Sequence, residues 1–211
     1  MRRAILLVAM MALTLLVASG VAWAVNKIGT DGPDTLIGTN KADNLLGRGG
    51  NDDVFGLRGR DNLVGGPGKD WVIGGSPQDR SMPGDKTQLG GPGNDGVFTG
   101  QGADNALGGG GNDLLVDGDI LESSHDNFSG GSGTDAIVVW HKPAFEDIVV
   151  CGRGFDYVLA DPKDVIAPDC ERVRILQVQR FSVEELDEQE QEFFASPPIV
   201  ALEAGLTPPP I

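Results

Sequence analysis

The sequence predicts an all-β fold: a parallel β-roll, or β-solenoid, of nonapeptide repeats with a C-terminal capping region and a short helix. Three observations predict it. Eleven aspartates recur on a nine-residue beat: Asp34, Asp43, Asp52, Asp61, Asp70, Asp79, then Asp95, Asp104, Asp113, then Asp126 and Asp135. An apolar residue stands two places after the aspartate in ten of the eleven repeats. Glycine opens nine of them and holds the fourth position in eight. Aromatic residues make up only 6% of the chain against 32 glycines, so a thick hydrophobic core is not expected. Something besides apolar burial must hold such a chain together.

The first element is a leader over residues 1–24. Met1-Arg2-Arg3 forms a basic start, Ala4 to Val21 an apolar run, and Ala22-Trp23-Ala24 a small-x-small cleavage signal. An uncleaved anchor is the alternative, since the run approaches spanning length. The polar Asn26-Lys27 that follows favours cleavage, a general secretory route and no membrane span afterwards. The net charge of the whole chain is −15, and the leader holds two of its basic residues and none of its acids. An acidic excess of this kind argues against nucleic acid and anionic membrane as partners.

The roll is expected over residues 25–138. From Gly29 the repeats read GTDGPDTLI, GTNKADNLL, GRGGNDDVF, GLRGRDNLV, GGPGKDWVI and GGSPQDRSM. An insertion, Pro83 to Leu89, precedes GGPGNDGVF, TGQGADNAL and GGGGNDLLV; Asp117 to Ile120 then precedes LESSHDNFS and GGSGTDAIV. Glycines at positions one and four allow positive φ, so six residues form a tight arc with inward carbonyls. The last three residues form a short strand whose middle side chain (Leu36, Leu45, Val54, Leu63, Val72) points inward. Two repeats complete a coil, so Asp52 stacks over Asp34 and Asp70 over Asp52, about 4.8 Å apart. Asp43, Asp61 and Asp79 line the other edge. A disordered glycine–aspartate linker would have no reason to keep the aliphatic in place.

Stacked carboxylates repel unless a cation lies between them. An all-oxygen set on flexible arcs suits Ca²⁺ better than the stricter Mg²⁺. Position nine is also apolar in ten repeats (Ile37, Leu46, Phe55, Val64, Ile73, Phe98 and Val116 among them). Strict alternation turns those side chains outward, where they either tuck back or form an exposed strip.

The pattern GGxGxDxUx is similar to the hemolysin-type, or repeats-in-toxin (RTX), calcium-binding repeat of secreted bacterial proteins. The nearest matches are Gly65–Asp70, Gly90–Asp95, Gly108–Asp113 and Gly130–Asp135, and the resemblance spans Gly29 to about Val138. It implies several Ca²⁺ ions held between consecutive arcs on both edges, and folding that depends on the ion. The implied ligands are the eleven aspartates and the arc carbonyls around Gly47, Gly50, Gly65, Gly68, Gly90, Gly93, Gly108, Gly111, Gly130 and Gly133. Lys41, Pro77, Thr99 and the stretch Leu121 to Ser124 depart from the pattern, so poor or absent metal is expected beside them.

Residues 139–180 read as worn coils. Asp147 and Asp156 keep the nine-residue spacing, Asp164 follows, and Cys151 to Val158 resembles a decayed repeat. Cys151 and Cys170 lie 19 apart, close to one complete coil, which brings them within disulfide range in an exported chain. CGRGFD and DCERV also resemble endings found in secreted proteins of the RTX type. Ser182-Val-Glu-Glu185 is a capping box that opens a helix within 181–195, suited to covering the end of the roll. The proline-rich 196–211 reads as a tail.

No catalytic residue is assigned. HExxH and G-x-S-x-G are absent, and the histidines are only two, His125 and His141. The sequence therefore points to a secreted, extracellular, non-enzymatic Ca²⁺-binding protein, structural or adhesive, with a cell-surface or matrix partner. The alternative is a secreted hydrolase that uses the roll as a scaffold.

Overall fold

A computed structural model describes residues 23–75, 84–85, 87–118, 124–139 and 144–176. The leader up to Ala22, the expected helix and the proline-rich tail lie outside these residues. The described chain is a run of short strands: β1 (Asn26–Ile28), β2 (Thr35–Ile37), β3 (Asn44–Leu46), β4 (Asp53–Leu57), β5 (Asn62–Val64), β6 (Trp71–Gly75), β7 (Thr87–Pro92) and β8 (Gly96–Phe98). It continues with β9 (Asn105–Gly110), β10 (Leu114–Val116), β11 (Asn127–Ser132), β12 (Ala136–Val139), β13 (Ile148–Arg153), β14 (Tyr157–Ala160), β15 (Val165–Ile166) and β16 (Arg172–Ile175). Odd strands form one eight-stranded sheet and even strands the other, each stacked in chain order. All pairings are parallel and one coil apart, as in Asn26↔Asn44 and Thr35↔Asp53. This is the parallel β-roll that the repeat period predicts.

The strands are short because each repeat spends six residues on its arc. The middle side chain of each strand enters the space between the sheets. Leu36, Leu45, Val54, Leu63, Val72, Val97, Ala106, Leu115, Phe128, Ile137, Val149 and Val158 form one buried column. The column is one side chain thick, which is why few aromatics are needed. Gln88 interrupts it, fully buried in β7.

The outer faces differ. On the odd sheet, Asn44 Nδ2 donates to Asn26 Oδ1 at 2.7 Å and Asn127 Nδ2 to Asn105 Oδ1 at 3.0 Å, a ladder of amides at the repeats' seventh position. On the even sheet the seventh and ninth positions pack together outside the roll. Trp71 stacks on Phe98 at 5.4 Å, and Phe98 and Val116 pack against Leu114 and Ala136. The ninth position therefore turns outward and covers itself on that face, and Phe55 is buried there. Ile37 and Leu46, near the N-terminal end, stay exposed.

One boundary differs from the sequence reading. The segment Pro83 to Leu89 reads as an insertion, yet Thr87–Leu89 is strand, in register with Asn62–Val64. The extra residues fall before Thr87 instead, all but one of them ahead of Asp85. The polar Gln88 hides the repeat, because it stands where the pattern calls for an aliphatic.

The worn coils remain coils. The disulfide Cys151–Cys170 forms with a Cα separation of 5.1 Å, tying β13 to the turn before β16.

Candidate calcium sites on the two edges of the roll

Arcs that lead from an odd strand to an even strand make the first edge of the roll, and the return arcs make the second. On the first edge the aspartates form a continuous ladder. Asp34 N–H donates to Asp52 Oδ1 (2.8 Å), Asp52 to Asp70 (2.8 Å) and Asp70 to Asp95 (2.8 Å). Asp95 continues to Asp113 (2.9 Å), Asp113 to Asp135 (2.9 Å) and Asp135 to Asp156 (2.8 Å). Asp156 ends the ladder on Glu171 Oε2 (3.0 Å). The second edge runs from Val25 through Asp43, Asp61, Asp85, Asp104, Asp126 and Asp147 to Asp164 by the same bond. The aspartate at position six is thus structural through one oxygen before any ion is considered.

The other oxygen is the informative one. Oδ2 of Asp52, Asp70, Asp95, Asp113, Asp135 and Asp156 on the first edge, and of Asp61, Asp104 and Asp126 on the second, is buried with no hydrogen-bond partner among the described residues. Buried carboxylate oxygens without a donor or counter-charge are costly. Burial, foremost, and neighbouring carboxylates push Asp70 up to about 7 and Asp113 up to about 8. Burial lifts Asp95 and Asp135 to about 6 against the pull of the ladder N–H. Each oxygen wants a positive partner.

The arc glycines explain how that oxygen is left clear. A Cβ on Gly65 would stand 2.5 Å from Asp70 Oδ2, and one on Gly108 2.5 Å from Asp113 Oδ2. Position one is therefore glycine for space around the carboxylate. Positive φ falls instead at positions two and four, as at Gly66 (φ 114) and Gly68 (φ 152). A Cβ on Gly68 would also strike the carbonyl oxygen of Gly50, one coil away. The sequence reading placed the left-handed residues at positions one and four, and so position two is a correction. Arg48 (φ 84) and Leu57 (φ 76) occupy it without being glycine.

Not every predicted aspartate is alike. In the first two arcs Thr30 and Thr39 donate their N–H to Asp34 and Asp43 Oδ2, both at 2.5 Å. Asp79 lies outside the described residues, and the ladder place between Asp61 and Asp104 belongs to Asp85. There Gln88 Nε2 donates to Asp85 Oδ2 at 3.0 Å, so an amide does what an ion would do elsewhere. Asp147, Asp156 and Asp164 extend the ladders beyond the repeats whose aspartates were assigned, a continuation announced only by their spacing. His125 is exposed, with Nδ1 2.5 Å from the Glu146 carbonyl oxygen, and His141 lies outside the described residues.

The fit to calcium rests on these features. The donors are all oxygen, the arcs are glycine-lined, and the free carboxylate oxygens recur coil after coil from Asp52 to Asp156, which matches a hard cation of flexible coordination. Such a fold and site define a calcium-binding β-roll. Residues 28–63, 55–76 and 89–116 match the family profile of the RTX calcium-binding nonapeptide repeat (4 copies). The matched stretch carries RTX-type calcium-binding repeats, and Ca²⁺ is their ion. No curated protein matches the chain.

Proposed function

We propose that the chain is a secreted structural protein, without catalytic activity, whose roll is set by Ca²⁺ bound chiefly along the first edge. The observation that carries this reading is the row of buried, donorless Oδ2 atoms facing glycines there. The arcs of that edge, 47–52, 65–70, 90–95, 108–113 and 130–135, keep the six-residue form without insertion. The proposed ligands are Asp52, Asp70, Asp95, Asp113 and Asp135, assisted by arc carbonyls. On the second edge Asp61, Asp104 and Asp126 offer the same oxygen between less regular arcs.

Export is supported by the leader-like residues 1–24 and by the disulfide, a bond that persists in oxidising compartments. The proposed organisation is leader (1–24), roll (25–138), worn coils with the disulfide (139–180), helix (181–195) and tail (196–211). Extracellular modules bind Ca²⁺ with dissociation constants on the order of 10⁻⁴–10⁻³ M, so occupancy follows external calcium. A rigid acidic rod of this kind suits a structural or adhesive role at a cell surface or in a matrix.

Isothermal calorimetry of the purified protein tests the ion. Several Ca²⁺ ions should bind with heat, and Mg²⁺ at the same concentration should not replace them. Equal heats from Mg²⁺, or none from Ca²⁺, would refute the reading.

A further inference from the structure

Position one of the arc is glycine in most coils, and at Gly65, Gly108 and Gly130 a Cβ would crowd the carboxylate of position six. Asp117 reads in the sequence as the start of an insertion, yet it pairs as the position-one residues do, so here that place holds an acid. The residue one coil before it, Thr99, also departs from glycine, and the two meet: Thr99 Oγ1 stands 3.4 Å from Asp117 Oδ1 and accepts the Gly118 N–H at 3.1 Å. The Asp117 N–H donates to the Val138 carbonyl at 2.9 Å, which fixes its backbone on the next coil. Ten residues run from Asp117 to Asp126, against six in the regular arcs.

That side chain joins two ladder aspartates. Carboxylate oxygens of Asp117, Asp126 and Asp147 all lie within 4.8 Å of one another, and all three residues are buried. A second observation points to a ligand. Asp126 is 2% exposed, its Oδ1 is taken by the Asp104 N–H at 2.9 Å, and its Oδ2 has no hydrogen-bond partner among the described residues. Ca²⁺ binds oxygen at about 2.3–2.6 Å, so opposite ligands of one ion stand about 5 Å apart. The three oxygens fit around a single ion as they stand.

We propose that Asp117, Asp126 and Asp147 form a cation site of a second kind, a three-carboxylate cage that holds Ca²⁺ more tightly than the first-edge arcs. It rests on the calcium reading above. The sequence expectation of poor metal beside Leu121 to Ser124 followed from the missing glycines; here the structure supplies a third carboxylate in their place. Affinity in oxygen sites rises with the number of charged ligands. One tight ion in the middle of the second edge would pin the roll where its arcs are least regular.

The test is a calcium titration by calorimetry of the full chain and of Asp117→Asn, Asp117→Gly and Asp113→Asn. The wild type should show one ion at least tenfold tighter than the rest. Both Asp117 variants should lose that class and keep the weaker ones, while Asp113→Asn, on the first edge, should keep it. Asp117→Gly restores the residue other arcs use, and its circular dichroism in excess Ca²⁺ should match the wild type. A tight class that survives both Asp117 substitutions overturns the cage. A wild type with only one weak class overturns it too, and leaves the calcium-binding roll standing. No calcium heat at all would sink both.

Discussion

At the scale of single residues, each position of the repeat answers a different physical demand. Position one clears space for a carboxylate, position two bends left-handed, and position four lets a neighbouring carbonyl pass. Arg48 meets the second demand without being glycine, at φ 84, and its ion pair with Asp31, at 3.9 Å and largely exposed, offsets little of the strain. A left-handed non-glycine residue costs roughly 1–2 kcal/mol, part of which glycine's unfolded-state freedom returns. Arg48→Gly should therefore stabilise the calcium-loaded roll by about 0.5–1 kcal/mol, seen as a higher thermal midpoint. The aspartates make a prediction in pH. In the folded chain without cation, burial raises Asp95 and Asp135 to about 6, Asp61 and Asp70 to about 7, and Asp113 to about 8, from 3.8. The folded chain then holds more protons than the unfolded chain between these values, so stability falls as pH rises through that window. In chelator these groups should leave the roll most ordered at about pH 4 and progressively less ordered up to about pH 8. Calcium should reverse the trend, because it displaces those protons and binds more tightly as pH rises. Proton release on adding Ca²⁺ at about pH 6.5, read in weakly buffered solution, checks the sign.

At the scale of elements, the two edges carry unequal duties. The first edge repeats one six-residue arc without insertion through residue 156. The second absorbs every interruption in the described chain, between β6 and β7, β10 and β11, and β12 and β13. Insertions at arcs leave strand pairing intact, whereas one within a strand would shift the register and turn the core residue outward. The worn end uses covalent closure where glycine arcs thin out. Linking Cys151 to Cys170 closes a loop of 19 residues, for which chain entropy gives about 3 kcal/mol. The double variant Cys151→Ser/Cys170→Ser should lower unfolding stability in saturating Ca²⁺ by about 2–4 kcal/mol in urea titrations. An unchanged midpoint would mean that stacking alone secures the end.

At the scale of the whole molecule, the nine-residue period made the coil, the inward column and the stacking of aspartates legible before any coordinates. Alternation within a three-residue strand sufficed for Leu36 through Val72. The same reasoning could not see Asp85, because Gln88 replaces the aliphatic that marks a strand and instead bonds the aspartate it follows. Nor could it see Asp117, whose role depends on which residues one coil away share its arc. The split of the ladder carboxylate, one oxygen for the backbone and one for an ion, is likewise a matter of three dimensions. So is the contrast between the amide face of the odd sheet and the apolar face of the even one. Taken together, these features describe a solenoid with a narrow apolar column and two rows of buried acid, and the proposed function makes its order depend on neutralising those rows. Far-UV circular dichroism of the chain at about pH 7.5, first in chelator and then through a Ca²⁺ titration, tests that dependence most directly. The account predicts a weakly ordered spectrum that turns cooperatively to β as calcium approaches the millimolar range, with no such turn in Mg²⁺. A full β spectrum in chelator, unchanged by calcium, would contradict it.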